Sequence, residues 1–524
     1  MKIKRTLCLL CALAMLLGCT ACGTRTERLT YDTIPESTGG KDVVANVGDD
    51  DVFSLNMNTS RSFNPLVATN RSNQLICSLV YENMVELDNN FNVIKNVIID
   101  WSSNDDYTFW TFKIDQGHTF HDGTPLTGKD VRYSLDRAVS SDRFKGRFNS
   151  YLGASYTDTE VTITLGIGDS QLPKLLNIPI IKYGTYSDDY PMGSGPYMYS
   201  EDETYLVASP YYPDYESLPI DTVFLVKYTD AASRITAFDD GIIDVVTNDP
   251  SSYTNLGYAS TSEIHNYATT NYHYVMFNEE STIGRFNGFR QAMNYAFDRA
   301  YFAEELMHGN AAASAVPMYP TCADYPQQYA DSLAYNLETC RLVLENSGIK
   351  DYDNDGKLEY MSGSAQKIEL KFIVCSDSSA KTGVVRKFAS DMETLGLTVN
   401  VQELTWENYL QALEDGDFDM YYGEVKLRNN FDVTELLDPD SDLNYSRGKD
   451  SSFVGYINNY LAAGDTSRSA MFQQLCQYIA GTGSLISIGF ETHQFISHRG
   501  VIKGVNPNAG NPLYDFPNWE IMLD

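Results

Sequence analysis

Residues 120–138 read FHDGTPLTGKDVRYSLDRA, a stretch that predicts a tight turn followed by a capped helix. Asp122-Gly123 is a turn signal, and Pro125 keeps the residue before it extended. Thr127 and Asp130 have the spacing of a capping box at a helix N-terminus. Apolar residues then recur at helical spacing, at Val131, Leu135 and Ala138. Because each polar residue has a local structural role available, the stretch does not by itself indicate catalysis.

The chain on both sides of this stretch predicts a mixture of strands and helices. Residues 107–114, YTFWTFKI, alternate aromatic and polar side chains, which is the period of a half-buried strand. Residues 195–226 are rich in Tyr, Pro and β-branched residues and predict further strands. One long amphipathic helix is predicted by apolar residues that share a face, Phe289, Ala292, Met293, Ala296, Ala300, Ala303 and Leu306.

A repeated change of hydrophobic period follows residue 367. Short apolar runs of strand type alternate with amphipathic runs of helix type, at residues 368–375, 385–395, 397–404, 406–414 and 418–425. The order is β-α-β-α-β, which favours a parallel or mixed α/β sheet. Together with the preceding elements, it predicts a body of at least two lobes.

The composition excludes one large class of partner. The chain has 524 residues, 43% of them apolar, and a formal net charge of −32. Phosphate would be repelled by this charge, so nucleic acid is not an expected partner. The high negative charge fits a self-repelling protein outside the cell.

The N-terminus indicates export and a lipid anchor. Three basic residues precede the apolar residues 7–17, which are too few to span a bilayer and are typical of a secretory signal. Residues 16–19, LLGC, look like a lipobox, so residues 1–18 are expected to be removed and Cys19 lipidated. The alternatives are lipidation at Cys22 and a plain signal peptide. Residues 19–43 are expected to form a flexible tether.

The sequence contains neither a zinc pattern nor a familiar catalytic motif. After processing, the remaining cysteines are scattered, so no cofactor is expected. Cys322 and Cys340 could form a disulfide or remain buried thiols. The chain lacks the G-x-S-x-G, H-E-x-x-H and Walker A motifs, and no catalytic residue is predicted.

An acidic loop has two interpretations. Asp351, Asp353 and Asp355 occupy positions 1, 3 and 5 of a calcium-loop pattern, with Gly at position 6. Position 12, where a Glu belongs, is Ser362, and Glu359 at position 9 could compensate. The alternative is a solvated turn between a helix and a strand.

Several segments in order resemble the solute-binding proteins of ABC importers, of the oligopeptide, dipeptide and nickel type. Residues 63–90 resemble the opening segment of the family, and residues 120–138 resemble its turn and helix. Further segments match in order, GSGPYMY at 193–199, AASRITAFDDGIIDVV at 231–246, NYHYVMFN at 271–278, FRQAMNYAFDRAYF at 289–302, VPMYP at 316–320, YNLETCRLVLENSGIKDYDNDGKLE at 335–359 and FDMYYGEV at 418–425. In this family the His121 turn belongs to the fold.

The resemblance implies an α/β, two-lobed periplasmic-binding-protein fold, a clamshell with an extra α+β domain on the first lobe. The first lobe is expected to comprise residues 44–64, 191–270 and 484–524. The extra domain is expected at residues 65–190 and the second lobe at residues 271–483. Lobe closure over a ligand, about a hinge near Thr270 and Ser484, would be the mechanism.

The resemblance also implies where a ligand binds. An extended ligand would lie between two main-chain segments and add a strand to them. These map to Thr69, Asn70 and Arg71 and to Gly423, Glu424 and Val425, with Tyr272 and Tyr274 as aromatic walls. The alternative is that these residues only line the hinge cleft.

The chain departs from the family pattern at the acid that pairs with the free amine of a peptide. Leu427 occupies that position, Asp432 aligns with a later acidic position, and Glu424 could substitute. A buried ammonium without a carboxylate would be costly.

The expected partners are an oligopeptide and the permease subunits of an ABC transporter, with a monomeric, membrane-anchored chain. An oligosaccharide and a metal chelate are alternative ligands, although the seven histidines show no ligand spacing. His493 and His498 would face opposite sides of a strand. A sensory binding protein is a further alternative, and a secreted hydrolase is the least expected.

Overall fold

The computed structural model describes residues 52–213, 215–251 and 262–523. The predicted signal peptide, Cys19 and the predicted tether at residues 19–43 lie outside these described residues. Among the helices of the described ranges, none is both long and apolar enough to cross a membrane.

A four-stranded sheet forms the core of the first half of the chain. Strand Phe53–Met57 pairs in parallel with Thr222–Lys227, and the antiparallel strands Tyr205–Ala208 and Tyr197–Tyr199 follow. The last three strands confirm the strand character predicted for residues 195–226. Helix Arg71–Val80 contacts this sheet, and helix Ala231–Asp239 follows it in the chain.

A second four-stranded sheet lies between residues 98 and 165. Its antiparallel order is Ile98–Ser103, Phe109–Ile114, Glu160–Leu165 and Tyr151–Tyr156. Phe109–Ile114 confirms the strand predicted from YTFWTFKI, because Trp110, Phe112 and Ile114 are buried on one face. The hairpin Val85–Leu87 and Val93–Lys95 contacts strand Ile98–Ser103 of this sheet, and the short helix Leu172–Leu175 contacts the hairpin.

The opening stretch folds as predicted into a turn and a capped helix. The helix spans Gly128–Ser140, and Asp130 Oδ2 accepts hydrogen bonds from Thr127 N at 3.0 Å and Thr127 Oγ1 at 2.9 Å. His121 donates from Nε2 to the Gly195 carbonyl at 3.0 Å. Burial lowers the pKa of His121 to about 4. The imidazole is therefore a neutral structural group.

A seven-stranded mixed sheet, here called the central sheet, is the largest element of the fold. Six of its strands follow in the order Val245–Asn248, Ile486–His498, Ser262–Phe277, Met420–Lys426, Glu369–Cys375 and Thr398–Leu404. The seventh, Ala311–Ala313, pairs with Ile486–His498. Strand Glu369–Cys375 is parallel to both of its neighbours. With helices Ser379–Thr394 and Trp406–Asp415 between the strands, the predicted β-α-β-α-β unit is confirmed.

The remaining helices surround the central sheet. They are Gln327–Ser332, Leu337–Asn346, Thr434–Leu437, Phe453–Leu461 and Arg468–Thr482. Two small hairpins add Glu359–Ser362 with Ser364–Lys367 and Ile502–Lys503 with Glu520–Ile521. Cys322 and Cys340 are both free and buried, so the structure has thiols where a disulfide was the alternative.

The single long helix predicted over residues 289–306 is wrong. The structure divides it into short pieces, Asn287–Ala292, the 3₁₀ turn Met293–Tyr295, Arg299–Tyr301 and the π-helix Phe302–Leu306. Asp298 is the N-cap of helix Arg299–Tyr301, because its Oδ1 accepts a hydrogen bond from Tyr301 N at 3.0 Å. The buried Arg299 side chain then donates to the carbonyls of Ser487, Leu333 and Asn294. Tertiary hydrogen bonds thus override the apolar periodicity.

Two long strands pass from one hydrophobic core to another. On strand Ser262–Phe277, Tyr267 packs with residues of the first half of the chain, whereas Ala268 packs with residues 316–490. On strand Ile486–His498, Phe490 belongs to the second core and Phe495 to the first. The chain therefore changes core twice, through two paired neighbouring strands.

Candidate functional site

Strand Met420–Lys426 is only partly paired on one side. It pairs along its length with residues 271–277, but with strand Glu369–Cys375 only at Met420 and Tyr421. Beyond Tyr421, no strand within the described ranges is in register with that side. Residues 422–426, here called the open edge, thus resemble the border of a sheet within the molecule.

The hydrogen-bond alternation shows which main-chain groups face outward at the open edge. Leu427 N donates to Thr270 O at 2.9 Å, so the odd-numbered residues direct their main-chain groups toward residues 270–277. The even-numbered residues direct theirs to the other side, where the Tyr409 hydroxyl donates to Tyr422 O at 2.7 Å. The main-chain N–H and C=O of Glu424 therefore face outward.

The side chains around the open edge form a packed aromatic layer. Tyr272 and Tyr274 are buried and stack with ring centroids 5.7 Å apart. Gly423 lies against Tyr274 so closely that a Cβ would stand 2.4 Å from the ring. Val425 is buried opposite Tyr272. The residues predicted for this segment are thus brought together, with the two tyrosines on the neighbouring strand.

The predicted first segment lies at the start of helix Arg71–Val80. Asn70 caps this helix, since its Oδ1 accepts from Asn73 N at 3.2 Å. Gln74 Nε2 donates to the Thr69 carbonyl at 3.2 Å. Thr69, Asn70 and Arg71 are half-buried, so the segment remains partly accessible.

A polar network, the hinge cluster, consists of the half-buried Arg71 and the buried residues Asp249, His273, Glu491 and His493. Arg71 Nη2 lies 2.9 Å from Asp249 Oδ2, and His493 Nε2 lies 3.8 Å from the same oxygen. His273 Nε2 donates to Glu491 Oε1 at 3.0 Å, and its Nδ1 lies 3.0 Å from the Tyr422 hydroxyl. The network follows the two strands that pass between the cores.

Electrostatics hold the Glu491 carboxylate in its ionised form. Burial alone would raise the pKa of Glu491, but the hydrogen bond from His273 holds this pKa well below its usual range. Asn271 Nδ2 donates to the other oxygen of Glu491 at 2.8 Å. The side chain of Glu424 also lies within 4.8 Å of His273 and Glu491. The hinge cluster therefore connects Arg71 in the first segment with Glu424 in the second.

Both acids predicted to meet a ligand amine already have cationic partners. Glu424 is ion-paired with Lys381. Asp432 Oδ2 lies 2.5 Å from Arg428 Nη1, and Asp432 Oδ1 accepts from Thr434 N at 2.8 Å. Each carboxylate is therefore neutralised within the chain.

Residues 89–174 and residues 319–468 contact each other directly. Asn430 Nδ2 donates to Asp169 Oδ2 at 2.9 Å, and Ser170 Oγ donates to Ala463 O at 2.5 Å. The rings of Phe91 and Phe431 meet edge to face at 5.0 Å. These contacts hold the two ranges together in the described structure.

Three groups of side chains have donors close enough for a metal ion. Asp249, Glu491 and His493 form one, and His273, Glu424 and Glu491 form a second. The first lies within the hinge cluster, and the second adds Glu424 to two of its members. Arg71 and Asn271 already supply hydrogen bonds to Asp249 and Glu491. The third group is the loop Asp351, Asp353, Asp355 and Glu359. The hinge cluster is therefore internally satisfied, and the loop is a separate feature.

Sequence reasoning missed the hinge cluster and the Asp169 contact. Their members are far apart in the chain, and no local spacing marks them. Strand alternation correctly predicted that His493 and His498 face opposite sides. His493 joins the hinge cluster, while the His498 ring stacks on the other face against Phe238, with centroids 4.3 Å apart. Pairs such as Asp169 and Asn430 are 261 residues apart and need the fold.

Comparison with known proteins identifies the family. Residues 92–442 match the family model described as bacterial extracellular solute-binding proteins, family 5 Middle. The oligopeptide-binding protein AppA of Bacillus subtilis (strain 168) is 22% identical over 523 residues, covering 92% of this chain and 91% of AppA.

Solved structures show the same fold. The ABC transporter substrate-binding protein CtaP from Listeria monocytogenes has a TM-score of 0.70 at 18% identity, covering 90% of this chain and 99% of CtaP. NikZ from Campylobacter jejuni, solved with Ni(L-His), has a TM-score of 0.64 at 15% identity, covering 90% and 99%. AppA from Bacillus subtilis with a nonapeptide has a TM-score of 0.61 at 20% identity, covering 90% and 98%.

At these identities the structures establish the two-lobed α/β fold. The family model covers well over half of the chain, and AppA matches over almost its full length. The chain therefore belongs to the bacterial extracellular solute-binding proteins, family 5, the substrate-binding proteins of ABC importers.

Proposed function

We propose that this chain captures an extended oligopeptide outside the cytoplasm and delivers it to the permease of an ABC transporter. The relative AppA is named an oligopeptide-binding protein and was solved with a nonapeptide, which supports this ligand class. A monomer anchored by a lipid on Cys19 completes the proposal. The protein binds its ligand without chemical conversion, in keeping with its family.

The proposed lobes follow the expected boundaries, with residues 44–64, 191–270 and 484–524 in the first and 271–483 in the second. Residues 65–190 form the proposed extra domain. The two changes of core on paired strands support a hinge there. A ligand that touches both lobes stabilises the closed state only through its extra affinity for that state.

The observation that carries the peptide proposal is the open edge. Glu424 offers a main-chain N–H and C=O in strand geometry, on the side where the central sheet has no further strand within the described ranges. An extended peptide adds to such an edge through main-chain hydrogen bonds. Thr69, Asn70 and Arg71 would contact its other side, with Gly423, Val425, Tyr272 and Tyr274 supporting the edge. Asp432 and Glu424 would act on the charged ends of the peptide only together with the cations that they already pair with.

A proline substitution tests the open edge directly. Glu424→Pro removes the outward N–H but leaves the ladder to residues 271–277, because that N–H does not face it. The matched control Glu424→Ala removes only the side chain. We expect Glu424→Pro to weaken binding of a synthetic peptide mixture by about fivefold or more, since one main-chain hydrogen bond is worth about 1 kcal/mol.

Native mass spectrometry of the purified protein gives the second readout. Retained peptides that disappear in Glu424→Pro and persist in Glu424→Ala would support the proposal. Equal peptide affinity of both variants would contradict the open edge as the binding element. Retention of a metal chelate or an oligosaccharide in place of peptides would contradict the ligand class while leaving the family assignment intact.

A further inference from the structure

The loop between residues 351 and 359 gathers four carboxylates. It follows helix Leu337–Asn346 and ends on strand Glu359–Ser362. One oxygen from each of Asp351, Asp353, Asp355 and Glu359 lies within 4.8 Å of the others. Charges this close repel one another strongly unless a cation compensates them. Repulsion alone does not identify a site, because exposed acidic groups are common.

Glu359 provides the independent observation. Its side chain comes from the strand that closes the loop, and the residue is only 1% exposed. Oε2 accepts from Tyr352 N at 2.9 Å, but Oε1 is buried without a hydrogen-bond partner. An unpaired buried carboxylate oxygen costs several kcal/mol in principle. A bound cation among the four carboxylates would remove that cost.

We propose that Asp351, Asp353, Asp355 and Glu359 form a calcium site, in addition to the proposed peptide-binding function and independent of it. Calcium takes six to eight oxygen ligands at variable geometry, whereas magnesium requires a small octahedral shell. Four carboxylates, three from the loop and one from the strand that closes it, fit the first requirement, with main-chain oxygens and water completing the shell. Gly356 has a φ of +85°, which turns the loop sharply enough to return Glu359 to the three aspartates.

A neighbouring lysine sets the expected strength of the site. Lys367, on strand Ser364–Lys367, is ion-paired with Asp355. Its ammonium competes with the metal for this carboxylate. The affinity is therefore expected in the range of extracellular calcium modules, with a Kd of about 10⁻⁴–10⁻³ M. Removing the lysine charge should tighten binding.

Calorimetric titration of the full chain with calcium chloride tests the proposal. We expect one site, with Asp353→Asn raising the Kd at least about tenfold and Lys367→Gln lowering it about threefold. Asp353 and Lys367 are exposed, so neither substitution should disturb folding. Asp442→Asn, in an acidic segment elsewhere, is the matched control and should leave the Kd unchanged. Equal heats for wild type and Asp353→Asn would overturn the site.

Thermal unfolding separates a metal site from a structural acidic turn. In EDTA, Glu359→Gln should unfold at a higher temperature than wild type, because it removes the unpaired buried charge. With calcium added, wild type should gain stability and Glu359→Gln should gain little. Absence of a calcium-dependent shift in wild type would overturn the proposal, as would an equal shift with magnesium.

Discussion

The Asp169 carboxyl is buried where two parts of the molecule meet. Gln171 N donates to it at 2.7 Å and Asn430 Nδ2 at 2.9 Å, while Asp432 and Arg428 lie nearby. Burial raises the pKa of Asp169 to about 6, against an ordinary value near 4 when exposed. Because Asn430 belongs to the proposed second lobe, opening would expose this carboxyl. The closed state therefore binds a proton more tightly than the open state.

The resulting prediction is that acid favours closure. As pH falls from 7.5 to 5, the closed form gains a proton that the open form does not, so the closure constant should rise about tenfold. Small-angle scattering of the ligand-free protein should show a smaller radius of gyration at pH 5. Asp169→Asn, which is always neutral, should be equally closed at both pH values. A wild-type radius that does not change with pH would contradict the prediction.

Single residues were predictable where their partners are close in the chain. Thr127 and Asp130 are three residues apart, so their capping interaction follows from spacing alone. The acidic loop at Asp351 was recognised for the same reason. By contrast, the partners of Glu491 come from strands that meet only in the folded central sheet, and no sequence period encodes them.

At the scale of elements, Gly423 determines how the open edge packs. A Cβ at this position would lie 2.4 Å from Cζ of the buried Tyr274. We expect Gly423→Ala to lower the free energy of unfolding by about 1–3 kcal/mol through overpacking. Gly455→Ala is the matched control, since a Cβ there has nothing within 4 Å and lies in helix Phe453–Leu461.

The control should stabilise the protein by about 0.5–1 kcal/mol, because alanine is the better helix former. Urea denaturation followed by circular dichroism measures both effects. A Gly423→Ala variant as stable as wild type would show that Tyr274 can move from beneath the strand. That result would remove the steric reason for glycine at this position.

Elements were predictable where one period continues through the whole element. The β-α-β-α-β unit follows from local alternation, and its parallel pairing follows from its connections. The apolar face over residues 289–306 predicted one long helix, which is wrong. Asp298 and the buried Arg299 divide that segment by tertiary hydrogen bonds. The partial pairing of strand Met420–Lys426 could not be read from the sequence, since it depends on where strand Glu369–Cys375 diverges.

At the scale of the whole molecule, the resemblance of ordered segments predicted the two-lobed fold, which the solved relatives confirm. Composition predicted an acidic protein but not where its charges are buried. Two buried carboxyls connect parts of the chain that are distant in sequence. Glu86 accepts from Asn83, Asn177 and Asn511, and Asp244 accepts from Ser54 N at 2.6 Å.

These two carboxyls give the molecule a pH-dependent stability. Burial raises the pKa of Glu86 and of Asp244 to about 7 each. A carboxyl with a raised folded-state pKa contributes stability that is complete below the unfolded-state value near 4 and is lost as pH rises through 7. We therefore expect the urea midpoint to fall between pH 5 and pH 7.5, with each group contributing about 2–3 kcal/mol.

The substitution Asp244→Asn isolates one of the two contributions. Asparagine can still accept the hydrogen bond from Ser54 N, but it stays neutral, so the fall of the urea midpoint should shrink by about two fifths, with Glu86 and Asp169 supplying most of the rest. Asp239→Asn, an exposed acid on the neighbouring helix Ala231–Asp239, should leave the pH dependence as in wild type. A wild-type urea midpoint that rose with pH would contradict the prediction. It would mean that other groups stabilise ionised Glu86 and Asp244 in the folded state. The low-pKa carboxylate Glu491 would oppose the trend only as pH falls below its unfolded-state value near 4, outside this window.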